Sequence, residues 1–214
     1  MRTLKLASAL LLAAAPFTAA QATTVLDATG DFLASYGGAH DADLDVTEFS
    51  VVYNSIAQRF DYHATLAGNI NNAIGGRYVI GVYTGNNTTP NNFSAIGAGG
   101  VLFNQAISIS KAGVVTLGAN TLSAATISGS TFFGSILVSQ LTSQGFTPEQ
   151  YGWNLWPRDA VSAGTAAISD FAPNNAVFAA SVVPEPASWA LMVGGFGLIG
   201  GTLRRKARRT PAAV

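Results

Sequence analysis

Residues 23–183 predict an all-β fold, a β-sandwich or jelly-roll-like outer domain, and three observations carry that expectation. Apolar side chains recur with period two, glycine and asparagine fall between the alternating runs at short intervals, and no long amphipathic helix pattern is present.

Along the chain, Leu44, Val46, Glu48 and Ser50 alternate unevenly as a first strand. Phe60, Tyr62, Ala64 and Leu66 alternate with Asp61, His63 and Thr65, as a half-buried strand does. Segments 77–83, 101–109, 114–117, 121–127, 132–138 and 151–156 are the further strand expectations, being rich in β-branched and aromatic residues. A short helix is expected around 139–143. Gly68-Asn69, Asn71-Asn72, Gly75-Gly76, Gly85-Asn86-Asn87, Gly99-Gly100, Gly113, Gly118 and Gly129 supply the turns between them.

Both flanks read differently from this body. Arg2 and Lys5 precede an apolar run over 6–15 and the small-x-small site Ala20-Gln21-Ala22, so residues 1–22 are expected to be a secretory signal peptide. The chain has no cysteine, which suits an exported protein that does not rely on disulfides. At the other end stand Pro184, Glu185 and Pro186, an uncharged stretch over 187–203, and the basic group Arg204, Arg205, Lys206, Arg208 and Arg209. As a helix, that stretch reaches roughly 25 Å, enough for a short transmembrane helix. Its glycines, Gly194, Gly195, Gly197, Gly200 and Gly201, weaken it, and Trp189 falls at one interface. Because basic residues stay on the cytoplasmic side, residues 210–214 are expected in the cytoplasm and the body outside, anchored to the inner membrane. Prolines on both sides of Glu185 hold the motif extended, as a processing enzyme requires of its substrate.

The order of these parts, and the run Pro-Glu-Pro-x-x-Trp-Ala-Leu-Met-x-x-Gly-Phe-Gly from Pro184 to Gly197, resembles the PEP-CTERM sorting domain in its proteobacterial form. The resemblance covers residues 184–209 and implies recognition by an exosortase-type membrane processing enzyme. It further implies cleavage near the motif and delivery from the periplasmic side to the cell surface, with exopolysaccharide as a partner. The body is in turn similar to β-sandwich modules attached to such tails, through Asp43-Leu44-Asp45-Val46, Asn154-Leu155-Trp156-Pro157-Arg158 and Ile168-Ser169-Asp170-Phe171-Ala172-Pro173. It is also distantly similar to carbohydrate-binding and cell-surface sandwiches, and no binding residue is carried across from either likeness.

The chain is formally neutral, yet its positive charge sits in the flanks. Between residues 23 and 183 the cations are Arg59, Arg77, Lys111 and Arg158, against Asp27, Asp31, Asp41, Asp43, Asp45, Glu48, Asp61, Glu149, Asp159 and Asp170. Such an acidic surface repels phosphate backbones and argues against nucleic-acid binding.

Catalytic signatures do not emerge. The sequence holds no His-Glu-x-x-His, Gly-x-Ser-x-Gly or phosphate-cradling Gly-x-x-x-x-Gly-Lys. His40 and His63 are the only imidazoles, one in an acidic loop and one on the solvated face of a strand, and a non-enzymatic protein is expected.

Two groups remain as candidate sites. Asp41, Asp43 and Asp45 alternate, so in an extended chain they share one side, where a structural calcium ion would relieve their repulsion. The loop is no EF-hand, since Val46 stands where glycine is needed and Val52 where glutamate is. The alternative is a solvated acidic loop. Trp153 and Trp156 form the second group, a candidate ligand-binding pair for sugars, but strand parity sends them to opposite faces. Core packing is the stronger expectation for them. The function expected is therefore structural or adhesive, in the envelope or exopolysaccharide, with a carbohydrate- or calcium-binding module as the alternative.

Overall fold

The computed structural model describes residues 23–70, 75–85 and 91–183, with residues 195–197 and 199 in a helical stretch beyond them. The signal peptide over 1–22, the motif Pro184, Glu185, Pro186 with Trp189, and the basic residues Arg204, Arg205, Lys206, Arg208 and Arg209 lie outside the described residues. Most of the expected span over 187–203 lies outside them too, and among the described residues no helix is long and apolar enough to cross a membrane.

The strands run in the order β1 (Thr24–Leu26), β2 (Val46–Asn54), β3 (Arg59–Leu66), β4 (Gly76–Tyr83), β5 (Asn91–Phe93), β6 (Ala98–Phe103) and β7 (Gln105–Ser110). There follow β8 (Val115–Leu117), β9 (Asn120–Thr121), β10 (Thr126–Ser128), β11 (Thr131–Leu137), β12 (Gly152–Asp159), β13 (Phe178–Ala179) and β14 (Ser181–Val182). One sheet has the order β1-β2-β3-β11-β10, with β14 laid parallel to β2, and a second has β13-β12-β4-β7-β8-β9. A separate hairpin pairs β5 with β6.

The two sheets face each other across a shared apolar core. On β3 the expected alternation is present, with Phe60, Tyr62, Ala64 and Leu66 buried and Asp61, His63 and Thr65 half-buried on the other face. These residues meet Tyr78, Ile80 and Val82 of β4 and Trp153 and Leu155 of β12. Phe60 and Trp153 place their ring centroids 4.7 Å apart, and Tyr78 and Phe132 stack at 4.8 Å. Each such side chain contributes about 1.5–3 kcal/mol by leaving water.

Residues of opposite parity on the second sheet build a smaller core on its far face. Val79 and Trp156 pack there against Ala98, Val101, Ile168 and Phe171, under Phe93 and Phe103 of the hairpin. Gly81 on β4 makes this feasible, because a Cβ at that position would collide with the Trp156 ring.

Several sequence expectations are corrected in detail. The strand expected over 101–109 divides at Asn104, whose side-chain oxygen accepts from the Thr84 N–H at 3.2 Å and from the Thr84 hydroxyl at 3.1 Å. The segment expected over 121–127 splits likewise, β9 joining the second sheet and β10 the first. The helix expected around 139–143 is a 3-10 turn at Val138–Gln140. The strand expected to stop at Trp156 continues to Asp159 through Pro157. Leu155 exchanges both backbone bonds with Ala172, so two residues later the Pro157 nitrogen also points away from β4, where no ladder donor is lost.

Candidate metal centre

Three separated segments bring carboxylates together. Asp27 and Asp31 lie on the loop after β1, Asp45 lies between a 3-10 turn (Ala42–Leu44) and β2, and Asp170 lies on the segment that flanks β12. Leu155 pairs with Ala172, and the buried Asn154 amide donates to the Pro173 and Ala176 carbonyls at 2.6 and 2.8 Å. Asp170 is thereby held against the start of β2. The loop after β1 is tied down by the Asp27 N–H to the Thr47 carbonyl at 3.1 Å and by the Leu33 N–H to the Ser169 carbonyl at 2.8 Å.

A carboxylate oxygen from each of Asp31, Asp45 and Asp170 lies within 4.8 Å of the others. Asp45 is 3% exposed and Asp170 1%, which rules out a solvated loop as the description of this pair. Asp170 accepts from the Val46 N–H at 3.0 Å and from the Phe171 N–H at 2.7 Å. Asp45 Oδ2 accepts from the Gly30 N–H at 2.7 Å, while its Oδ1 is buried without a partner. Asp31 Oδ1 and Asp27 Oδ2 are buried and unpartnered as well.

Electrostatics make the cluster costly as it stands. Burial, and then the neighbouring Asp27 and Asp31 charges, raise the Asp170 carboxyl to about 7, against the opposing pull of its two backbone donors. Burial, with Asp31 and Asp45, raises Asp27 to about 6, and burial also raises Asp45. Among the described residues no cation answers them: Lys111 is paired with Asp43, Arg59 with Asp61, and neither Arg77 nor Arg158 forms an ion pair. An all-oxygen, carboxylate-rich set of this kind suits a hard divalent cation.

The expected trio Asp41, Asp43 and Asp45 is not brought together. The 3-10 turn, closed by the Leu44 N–H to the Asp41 carbonyl at 2.8 Å, breaks the alternation an extended chain would have given. Asp43 turns inward to an ion pair with Lys111, its Oδ2 2.6 Å from the ammonium but out of hydrogen-bond alignment. Asp41 stays half-buried near the surface, and Asp45 alone joins the cluster. Asp27 and Asp31 entered the sequence reading only as charge, and Asp170 only as charge and within the run 168–173, because nothing local links Asp170 to the loops some 125 residues earlier.

Trp153 and Trp156 offer no exposed ring for a sugar, being 0% and 2% exposed. Parity does separate them, one into each core. His40 stacks on Phe32 with centroids 4.3 Å apart, and His63 lies beside Phe133. On the far face of the second sheet, Arg77 and Arg158 stand directly opposite each other. They border a groove of about 380 Å³ that also includes Phe93, Phe103, Ser108 and Trp156. Arg158 donates to the Gly164 carbonyl at 2.7 Å, its Nε is buried without a partner, and burial and Arg77 lower its pKa.

Residues 182–209 match the PEP-CTERM protein-sorting motif, a match that starts inside β14 and leaves the body unassigned. The motif marks an exported protein whose sorting depends on an exosortase, a membrane processing enzyme, on the way to the cell surface. No curated protein and no solved structure matches the chain.

Proposed function

We propose that this chain is a non-enzymatic surface or extracellular-matrix protein, a β-sandwich body that an exosortase separates from its membrane tail. The observation that carries the reading is the sorting motif beginning where the folded body ends, at β14. The body is built around two apolar cores, and neither histidine hydrogen-bonds to a hydroxyl among the described residues. Both features support a structural or adhesive role in the envelope or exopolysaccharide.

Mass spectrometry of the protein recovered from native cells tests the reading. The wild type is expected to end at or before Pro184-Glu185-Pro186 in the surface fraction, and a Glu185→Ala variant to keep its basic end in the membrane. A wild-type chain that retains Arg208 and Arg209 in every fraction overturns processing.

A second reading, a carbohydrate-binding module, is favoured by one observation. Among the described residues Arg77 and Arg158 form no ion pair, and the face around them carries the hydroxyls of Ser108, Ser110 and Thr116. Like charges directly opposite on a ladder destabilise it, and an acidic sugar would offset that repulsion. Saturable glycan binding that is lost in Arg77→Ala with an unchanged melt supports this reading; no binding to acidic glycans rejects it.

A further inference from the structure

We propose that Asp27, Asp31, Asp45 and Asp170 form a calcium site that fastens the N-terminal loop to the body of the domain once the protein has left the cytoplasm.

The geometry carries this beyond mere acidity. Acidic residues grouped on a surface spread their charge into water, but here Asp45 and Asp170 are 97% and 99% removed from solvent by their 3% and 1% exposures. An ionised carboxylate nine-tenths out of water carries a penalty of several kcal/mol unless a counter-charge or a proton offsets it. Asp31, Asp45 and Asp170 form the close group, and Asp45 Oδ1, Asp31 Oδ1 and the Oδ2 of the neighbouring Asp27 are buried with no hydrogen-bond partner. Backbone donors hold Asp170 through both of its oxygens and Asp45 through Oδ2, which leaves Asp45 Oδ1 without a partner.

The donor set favours calcium. One oxygen from each of Asp31, Asp45 and Asp170 lies within 4.8 Å of the others, close enough for a single ion to touch all three. Donors are all oxygen and the chain has no cysteine, so soft-metal chemistry has no thiolate to use. Three close carboxylates, with Asp27 beside them, also exceed what magnesium, which keeps most of its water, ordinarily takes from protein.

Topology gives the site a task. Asp27 and Asp31 belong to the loop that follows three-residue β1, whereas Asp45 and Asp170 are anchored to β2 and β12. Without a cation these two groups repel each other; with one they share ligands. Calcium-binding modules outside cells work at about 10⁻⁴ to 10⁻³ M. At that affinity the site stays open at cytoplasmic calcium levels and closes after export.

The experiment uses the full-length chain purified in detergent, stripped with EGTA and titrated with calcium chloride, with magnesium chloride as a parallel arm. Expected are one calcium per chain by calorimetry, a melting temperature raised by several degrees at a few millimolar calcium, and slower proteolysis between residues 27 and 45. Asp45→Asn and Asp170→Asn should each lose the calcium shift, while Asp41→Asn, outside the cluster, keeps it. Because Asn removes a repelled charge, the Asp45→Asn protein in EGTA should melt at or above the wild type, so loss of response is not loss of fold. An unchanged wild-type melt overturns the site. A calcium shift that survives in both Asp45→Asn and Asp170→Asn places the ion elsewhere, and an equal shift from magnesium overturns the assignment to calcium.

Discussion

Replacing Lys111 with methionine should destabilise the body far more than an ordinary surface lysine substitution. Lys111 Nζ lies 2.6 Å from Asp43 Oδ2, and the two side chains are 12% and 1% exposed. At an effective dielectric near 20 their attraction is roughly 6 kcal/mol, a sum that desolvation of both ions largely cancels. The net worth of the pair is therefore small. Removing only the lysine is different, because Asp43 stays in place with an uncompensated charge, which costs about 3–5 kcal/mol. For a body of this size each kcal/mol lowers Tm by about 2–4 °C, so Lys111→Met should lower it by roughly 6–20 °C. The double variant Asp43→Asn/Lys111→Met, with both charges gone, should recover most of that loss. Thermal and urea melts of the full-length protein at fixed calcium measure both. A single variant within about 1 kcal/mol of wild type, or a double variant as unstable as the single, would show that the pair is solvated and the reasoning wrong.

Trp153→Ala should cost about 3–5 kcal/mol by urea denaturation, since its ring fills the shared core against Phe60; a loss of glycan binding with stability unchanged would contradict its place there. In EGTA the pH dependence should be inverted relative to most carboxylates. With folded-state values of about 7 for Asp170 and about 6 for Asp27, against 3.8 unfolded, the folded state holds the extra protons. Their contribution is then fully present below about pH 4 and is lost as pH rises through 6 and 7. Comparing urea midpoints of wild type and Asp170→Asn from pH 4 to 8 isolates the effect. The gap should move in the variant's favour with rising pH, and a gap moving the other way would refute it.

Legibility in the sequence followed range. On β3 the alternation of Phe60, Tyr62, Ala64 and Leu66 names the buried face without any tertiary knowledge, because the pleat alone sets it. Parity likewise separates Trp153 from Trp156, although it cannot show that a second core exists, since that core depends on the short hairpin whose first strand is only Asn91–Phe93. The acidic site shows the limit. An extended reading of residues 41–45 put three aspartates on one side, but burial of Leu44 is met by a 3-10 turn that sends Asp43 to Lys111 and leaves only Asp45 in the cluster. Asp170 reaches Val46 across 124 positions through a side-chain bond to backbone, and no local pattern announces such a contact. The sorting motif, being contiguous, is the one functional feature that needed no fold to be read.

The final backbone bond of the body, from the Val183 N–H to the Tyr53 carbonyl at 3.1 Å, falls one residue before Pro184. Paired backbone therefore runs up to the residue that precedes the sorting motif's first proline. Under the processing proposed above, β14 is the part of the fold nearest the cut. With only two residues of parallel pairing, Ser181 and Val182 on Val52 and Tyr53, β14 is the strand that the processing enzyme would find easiest to peel away.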